Sequence, residues 1–165
     1  MKLFKKVLKE ETLSIVNSEL NNTIKENVWG SNRRHWASFL TSNNLGTVST
    51  RFVSDDCAAK VIEDIKPLVP KAKDIGVMMY VWDFNSGIAL HDDSQYIFGG
   101  TIYLNANWHP DYGGWFIWKD EKEKWNAFLP EHNNLVLNDN KQYHTVTPIS
   151  PTSPELRLTL QIFGE

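Results

Sequence analysis

The stretch at residues 77–105, VMMYVWDFNSGIALHDDSQYIFGGTIYLN, decides the fold that the sequence predicts. It holds three short segments rich in β-branched and aromatic residues, at 77–84, 88–93 and 97–105. Further candidate strands are separated by turns rich in Gly, Pro, Asn and Asp, and they lie at 115–118, 134–137, 143–149 and 156–163. These turn residues supply a positive φ, a fixed φ or a local side-chain hydrogen bond. Seven or eight short strands at this spacing predict a β-sandwich or a jelly-roll barrel.

Residues 1–70 show mainly helical periodicity instead. Two short sets of apolar residues at helical spacing predict helices. The first set is Leu3, Phe4, Val7 and Leu8, in a segment that is also short enough to be a strand, and the second set is Trp36, Phe39 and Leu40. The β-branched stretch 46–53 predicts a strand, and Ser54 predicts the N-cap of a helix that ends at Pro67. We therefore expect one α+β domain over 1–165, in which the helices of 1–70 pack against a jelly-roll barrel formed by 75–165.

Composition and charge narrow the classes of function. The 165 residues carry a formal net charge of −3, whereas proteins that track nucleic-acid phosphates are usually basic, so we expect no nucleic-acid partner. The start of the chain, MKLFKKVLKEE, is charged throughout, and no run of about 18 apolar residues occurs, so neither a secretory signal nor a membrane span is expected. The single cysteine, Cys57, excludes an internal disulfide and suits a reducing compartment, which predicts a cytoplasmic protein.

The candidate metal ligands begin with the tripeptide His91-Asp92-Asp93. Residues i and i+2 of a strand point to the same side, so His91 and Asp93 are predicted to present an imidazole and a carboxylate together. A second imidazole from a distant strand would complete the two-histidine, one-carboxylate triad of non-haem Fe(II) oxygenases, and His144 is the best candidate for it. The tripeptide alone is a weak signal, because a histidine near a strand end is more often simply hydrogen-bonded or exposed.

The last predicted strand carries Arg157 on the same face as Thr159 and Gln161, while its other face is apolar. The pattern leaves open which face lies inside. A polar face turned outward is the commoner arrangement in small β proteins. A polar face turned into a barrel would instead bind a charged ligand, since the guanidinium binds a carboxylate through two hydrogen bonds and the Thr159 hydroxyl adds one more.

Taken in order, these residues resemble the Fe(II)/2-oxoglutarate-dependent dioxygenase superfamily, and in particular its prolyl-hydroxylase-like branch. The resemblance covers about residues 77–164 and rests on the order and spacing of several short motifs. They are His91 and Asp93, then Thr101-Ile102-Tyr103-Leu104-Asn105 with Trp108, then Gly113-Gly114, then His144 with Val146 and Pro148, and last Arg157 with Thr159. The fold that this resemblance implies is a double-stranded β-helix, or jelly roll.

The resemblance also implies roles for individual residues. The side chains that would ligate Fe(II) are His91, Asp93 and His144. The distal carboxylate of the co-substrate 2-oxoglutarate would be bound by Arg157, with Tyr103 and Thr159 nearby. The family often has a further tyrosine nine or ten residues before the first histidine ligand. Here Tyr80 and Trp82 stand at eleven and nine residues, so the sequence does not decide which of them contacts the co-substrate.

The activity implied is that of a hydroxylase that consumes O₂ and 2-oxoglutarate and releases succinate and CO₂. The branch suggests a peptide or protein side chain as the substrate, with proline as one candidate, although a small molecule is an alternative. Aromatic platforms suit prolyl rings, sugars or bases, but core packing explains tryptophans equally well; the residues concerned are Trp82, Trp108, Trp115, Trp118 and Trp125. Two other classes stay open, namely a lectin-like jelly roll without catalysis and a cupin-type enzyme that holds Mn, Ni or Zn.

Overall fold

The computed structural model describes residues 1–26, the backbone of 33–34, and residues 47–165. In these residues the helices are α1 (Glu10–Glu26) and α2 (Asp55–Ile65), and short 3₁₀ turns span Lys66–Leu68 and Pro110–Tyr112. The strands are β1 (Lys2–Phe4), β2 (Arg33–Arg34), β3 (Val48–Phe52), β4 (Ile75–Trp82), β5 (Ile88–His91), β6 (Phe98–Tyr103), β7 (Phe116–Lys119), β8 (Trp125–Phe128), β9 (Leu135–Asn138), β10 (His144–Val146) and β11 (Arg157–Gly164).

These strands form two antiparallel sheets. The larger sheet has the order β1-β9-β6-β11-β4-β3-β2, and the smaller one has the order β5-β10-β7-β8. From β4 onward the chain passes repeatedly between the two sheets, as it does in jelly-roll-type folds. Strand β11 lies in the middle of the larger sheet, where Arg157 pairs with Trp82 of β4. Thr159 lies between Tyr80 of β4 and Tyr103 of β6.

The predicted α+β, jelly-roll-type fold is confirmed as two antiparallel sheets with few helices, while closure into a barrel stays a prediction. Each strand predicted after residue 75 occurs with ends shifted by a few residues. The apolar segment at Leu3 and Phe4 is a strand rather than a helix, because it pairs with the edge of β9. Strand β8 was not predicted, since it is short and follows the charged run at 119–124. The helix predicted around Trp36 lies outside the described residues.

The central strands of the larger sheet, β4, β6 and β11, are buried on both faces. One face packs with the helices in an apolar cluster that includes Val16 of α1, Val61 of α2 and Ile162 of β11. The other face packs against the smaller sheet in a second cluster, which includes Tyr80, Trp82 and Tyr103 of the larger sheet and Phe116 and Val146 of the smaller one. Because strand side chains alternate between faces, β11 sends Leu160 and Ile162 to the helices and Arg157 and Thr159 into the space between the sheets.

Helix α2 forms as the sequence predicts. Ser54 is its N-cap, with its side chain accepting a hydrogen bond from the backbone N–H of Cys57 at 3.4 Å. Asp55 and Asp56 occupy the first turn, where carboxylates interact favourably with the helix dipole. Cys57 is buried on this helix, and burial raises the pKa of its thiol to about 12. Among the described residues, no helix is both long and apolar enough to cross a membrane.

Candidate metal centre

Three of the predicted ligands meet between the two sheets. The ligand-type atoms of His91, Asp93 and His144 all lie within 4.8 Å of one another. His91 Nε2 lies 3.5 Å from Asp93 Oδ1, and His144 Nε2 lies 3.4 Å from Asp93 Oδ2. Adjacent ligands of one metal ion, each bound at about 2.0–2.2 Å, stand about 3 Å apart. The three side chains are therefore spaced as a shared divalent ion requires.

Strand pairing brings the two histidines together. Strands β5 and β10 are antiparallel neighbours, and His144 is directly opposite His91 in their register. The two imidazole centroids lie 4.1 Å apart. Phe116 of the adjacent strand β7 stacks on the His144 ring at 4.9 Å with an interplanar angle of 15°. The smaller sheet thus fixes the position of both rings before any metal is bound.

Asp93 reaches the site by a different route from the one that the sequence predicts. Strand β5 ends at His91, so Asp93 does not share a strand face with it. Asp93 instead has a φ of 54°, in the left-handed region that aspartate tolerates better than most residues. This turn directs its carboxylate back toward the histidines. The structure thus places Asp93 beside His91, as the sequence predicts, but the strand alternation on which that prediction was based is wrong.

Backbone carbonyls fix which imidazole nitrogen faces the centre. His91 Nδ1 lies 2.7 Å from the carbonyl oxygen of Ala89, and His144 Nδ1 lies 3.0 Å from that of Gln142. A carbonyl oxygen only accepts, so each Nδ1 carries a hydrogen, and in the neutral form of each ring Nε2 is then the nitrogen with the lone pair. Both free Nε2 atoms face Asp93. This is the tautomer that a metal ligand needs.

Asn138, at the end of β9, supports the loop that leads to His144. Its Nδ2 donates to the carbonyl oxygens of Asp92 at 3.2 Å and Gln142 at 3.1 Å, and its Oδ1 accepts from the backbone N–H of Gln142 at 3.0 Å. One buried amide therefore joins the segments that carry Asp93 and His144. The sequence did not predict this role, because asparagine before a turn is common and carries no specific signal.

The electrostatic surroundings of His91 and Asp93 favour the binding of a cation. Burial and the neighbouring His144 lower the pKa of His91, which favours the neutral imidazole. Burial acts to raise the pKa of the Asp93 carboxyl, but the neighbouring imidazoles of His144 and His91 outweigh it, so that this pKa is lowered. A neutral imidazole at His91 and an ionised carboxylate at Asp93 both favour a bound divalent cation, and two imidazoles with one carboxylate are a donor set that suits Fe(II).

The cluster opens on a cavity of about 420 Å³. Its walls come from both sheets and from the loop at 92–96, and they include Tyr80, Trp82, Tyr96, Val146 and Gln161. This volume is in the range of small-molecule sites. Tyr80 and Trp82, between which the sequence did not decide, both line it. A second cavity of about 890 Å³ adjoins the first at Tyr96 and Phe163 and also touches Phe52 and Met78.

The polar face of β11 points inward, between the sheets. Arg157 and Thr159 have no exposed surface. The Arg157 guanidinium lies 4.7 Å from the centroid of the Trp82 ring and 5.3 Å from that of Tyr103. Gly114 leaves room for it, because a Cβ at that position would lie 2.9 Å from Arg157 Cδ. The lack of a side chain at the second glycine of the Gly113-Gly114 motif is therefore explained by the space that Arg157 occupies.

The guanidinium of Arg157 has the chemistry to bind an anion. Its three nitrogens and the Tyr103 hydroxyl are buried without a hydrogen-bond partner among the described residues. Burial lowers the pKa of Arg157, but arginine stays protonated in proteins, so a cation is buried here without a counter-charge among the described side chains. Burial likewise raises the pKa of Tyr103 to about 12, which keeps the phenol protonated as a donor. A carboxylate would satisfy both groups at once.

Thr159 is held by a chain of buried hydrogen bonds. Its Oγ1 accepts from Trp82 Nε1 at 3.0 Å and from Gln161 Nε2 at 3.2 Å. Gln161 Oε1 in turn accepts from the Thr101 hydroxyl at 2.9 Å. Both lone pairs of the Thr159 oxygen are therefore used, and its own hydrogen is left to donate. The sequence identified Thr159 but missed Gln161 and Thr101, whose roles depend on three adjacent strands.

The five tryptophans considered as a platform do not form a common one. Trp82 and Trp108 are buried, and Trp108 Nε1 donates to the carbonyl oxygen of Gly113 at 2.9 Å. Trp125 is 57% exposed on β8, and of the five tryptophans considered as a platform only Trp82 lines the 420 Å³ cavity. The aromatic residues where the two cavities meet are Tyr96 and Phe163, whose ring centroids lie 4.6 Å apart. Core packing therefore explains Trp108 better than ligand binding does.

Comparison with known proteins supports the fold assignment. No protein-family model matches the chain, and no curated protein is similar to it in sequence. Among solved structures, a Pseudomonas putida prolyl-4-hydroxylase superposes with a TM-score of 0.73 at 14% identity, covering 99% of this chain and 91% of the other. A Trichoplax adhaerens prolyl hydroxylase, solved with a peptide fragment of the hypoxia-inducible factor oxygen degradation domain, gives 0.73 at 16% identity, covering 99% and 82%. A 2OG-Fe(II) oxygenase family protein from Burkholderia pseudomallei gives 0.53 at 15% identity, covering 71% and 64%.

The chain thus has the fold of the prolyl hydroxylases, which confirms at the level of fold the resemblance stated from the sequence.

Proposed function

We propose that the protein is an Fe(II)- and 2-oxoglutarate-dependent dioxygenase that hydroxylates a carbon atom of its substrate. One observation carries the proposal: a His-Asp-His cluster on the smaller sheet and a buried Arg157 on the larger sheet, without a hydrogen-bond partner among the described residues, both lie in one jelly-roll-type fold. The cluster alone would suit several metals and the arginine alone several anions. Together they fit a metal ion and a dicarboxylate that reaches from it toward Arg157. The structural similarity to prolyl hydroxylases supports the same class.

In this proposal each residue has a defined task. His91 and His144 bind iron through Nε2, and Asp93 binds through a carboxylate oxygen. Arg157 and the Tyr103 hydroxyl bind the distal carboxylate of 2-oxoglutarate, and Thr159 donates its remaining hydrogen to the same group. The stacked ring of Phe116 shields His144 from water. When bound, the iron and co-substrate supply oxidising chemistry in which O₂ is consumed, 2-oxoglutarate becomes succinate and CO₂, and the substrate gains a hydroxyl group.

We further propose a peptide substrate, with a prolyl residue as the first to test. The support is a second cavity, which shares the lining residues Tyr96 and Phe163 with the cavity at the metal site. One of the structurally similar proteins was solved with a peptide. The cytoplasmic location and the single-domain organisation with a helical part at 1–70 stay predictions.

Anaerobic titration with Fe(II) and 2-oxoglutarate tests the class. We expect a weak visible charge-transfer band that needs both components and that His144→Ala abolishes, because the variant loses one imidazole ligand. Conversion of 2-oxoglutarate to succinate against a panel of proline-containing peptides then tests the substrate. A sample that stays colourless with both components, in which His91→Ala behaves like the parent, would contradict the oxygenase assignment and favour a binding module.

A further inference from the structure

We propose that Gly99 is a positioning residue, whose missing side chain leaves the space that the Asp93 carboxylate needs to bind a metal. This inference rests on the proposed function. Gly99 is a buried residue of β6, paired with Phe163 on one side and Asn138 on the other. A Cβ built on it would lie 3.1 Å from Asp93 Cγ, and closer still to Oδ2. That oxygen is the one that faces His144 Nε2.

The backbone gives no other reason for a glycine at this position. Among the described residues, the glycines with a positive φ are Gly113 and Gly114, so Gly99 has a φ that any residue adopts. Glycine inside a strand weakens it, because the chain loses more conformational entropy on folding and no side chain is buried. The close approach of Asp93 is the feature that explains the glycine.

The collision has different consequences with and without metal. In the metal-free protein the Asp93 carboxylate is the flexible end of its side chain, so it can rotate away from an alanine at 99. With metal bound, the carboxylate oxygen must stay near both Nε2 atoms. The backbone of Asp93 cannot readily adjust, because it already has a φ of 54°. An added methyl group therefore opposes metal binding much more than it opposes folding.

The experiment compares Mn(II) binding by the parent, Gly99→Ala and the control Gly76→Ala, using electron paramagnetic resonance to count free Mn(II). Gly76 is also a strand glycine, in β4, and a Cβ there would have Phe163 O as its nearest neighbour at 3.9 Å. We expect Gly99→Ala to weaken Mn(II) binding at least tenfold while its metal-free melting temperature stays at or above that of the parent. We expect Gly76→Ala to bind like the parent.

A double-mutant cycle with Asp93→Ala tests whether the loss of Mn(II) affinity in Gly99→Ala arises from a collision with the Asp93 carboxylate. In the Asp93→Ala background, Gly99→Ala should cause no further loss of Mn(II) affinity, because the colliding carboxylate is gone. If Gly99→Ala alone fails to fold, restored folding of the double variant supports the same collision, and continued failure overturns the proposal. Parent-like Mn(II) affinity of Gly99→Ala also overturns it. Absence of Mn(II) binding by the parent instead refutes the proposed function, and this inference with it.

Discussion

Replacement of Arg157 by methionine should separate the stability of the fold from co-substrate binding. Arg157 is fully buried, and its guanidinium nitrogens have no hydrogen-bond partner in the part of the chain that the structure describes. A buried cation without an anion costs several kcal/mol, whereas methionine keeps the packing of the aliphatic stem. Without 2-oxoglutarate, we therefore expect Arg157→Met to be at least as stable as the parent.

The size of the stability effect follows from two opposing contributions. Apolar replacement of buried ionic groups is worth about 1–4 kcal/mol of added stability. The guanidinium of Arg157 lies 4.7 Å from the centroid of the Trp82 ring and 5.3 Å from that of Tyr103, and losing these contacts removes about 1 kcal/mol of the added stability. The remaining gain of about 0–3 kcal/mol raises the melting temperature by about 0–10 °C in a chain of this length.

The co-substrate effect should be larger and of opposite sign. At a hundred times its Kd, 2-oxoglutarate stabilises the parent by about 2.7 kcal/mol, which raises the melting temperature by about 5–10 °C. Removing one partner of a buried, hydrogen-bonded charge pair costs about 2–5 kcal/mol. The Kd of Arg157→Met for 2-oxoglutarate should therefore rise by about 30-fold or more, which removes most of the thermal shift at the same concentration.

The assay is thermal unfolding with Mn(II), with and without 2-oxoglutarate. Arg51→Met is the matched control, because the Arg51 guanidinium donates to Thr23 Oγ1 of α1 and lies outside the cavity, and it should keep the full co-substrate shift. Two results would refute the reasoning. An unchanged co-substrate shift in Arg157→Met would mean that the guanidinium does not bind the carboxylate. A melting temperature well below that of the parent would mean that the buried cation is already compensated.

Two further predictions concern the surroundings of the site. Asn138→Ala should weaken Mn(II) affinity by about 10–100-fold while leaving the 2-oxoglutarate contacts intact, because it removes the amide that joins the segments carrying Asp93 and His144; calorimetric titration with Mn(II) measures this, and parent-like affinity contradicts it. The pKa of Tyr103 is about 12 in the folded protein, above its ordinary value of 10.0, so its contribution to stability is fully present below pH 10 and is lost as the pH rises toward 12. The free energy of unfolding of the parent, measured relative to Tyr103→Phe, should therefore fall by about 1 kcal/mol between pH 9 and 11, and a constant difference would show that the phenol is not shielded.

Much of the site could be predicted from local pattern and order along the chain. The alternation in β11 placed Arg157 and Thr159 on one face, and the turn residues marked most strand boundaries. Histidine and aspartate at 91 and 93, with a second histidine at 144, specified the donor atoms for a metal. These features depend on residue type and sequence spacing, which a strand of period two preserves in any context.

Other features depend on partners that are distant in the chain. The polar face of β11 turns inward because the smaller sheet covers it, and the alternation itself is equally compatible with either direction. The hydrogen-bonding roles of Asn138 and Gln161 depend on which strands become neighbours. Asn138 donates to the carbonyl oxygen of Asp92 and Gln161 accepts from the Thr101 hydroxyl, and no local window of sequence contains these partners.

What the sequence by itself determined is therefore the chemistry: strands in order, two imidazoles, a carboxylate and a guanidinium at suitable spacing. What only the tertiary structure decided is where that chemistry points. Asp93 reaches the histidines through a left-handed turn after β5 and not through strand alternation, and Gly99 of another strand leaves the space for it. Both facts arise because burial and close packing are properties of whole sheets brought face to face, and a local sequence pattern does not encode them.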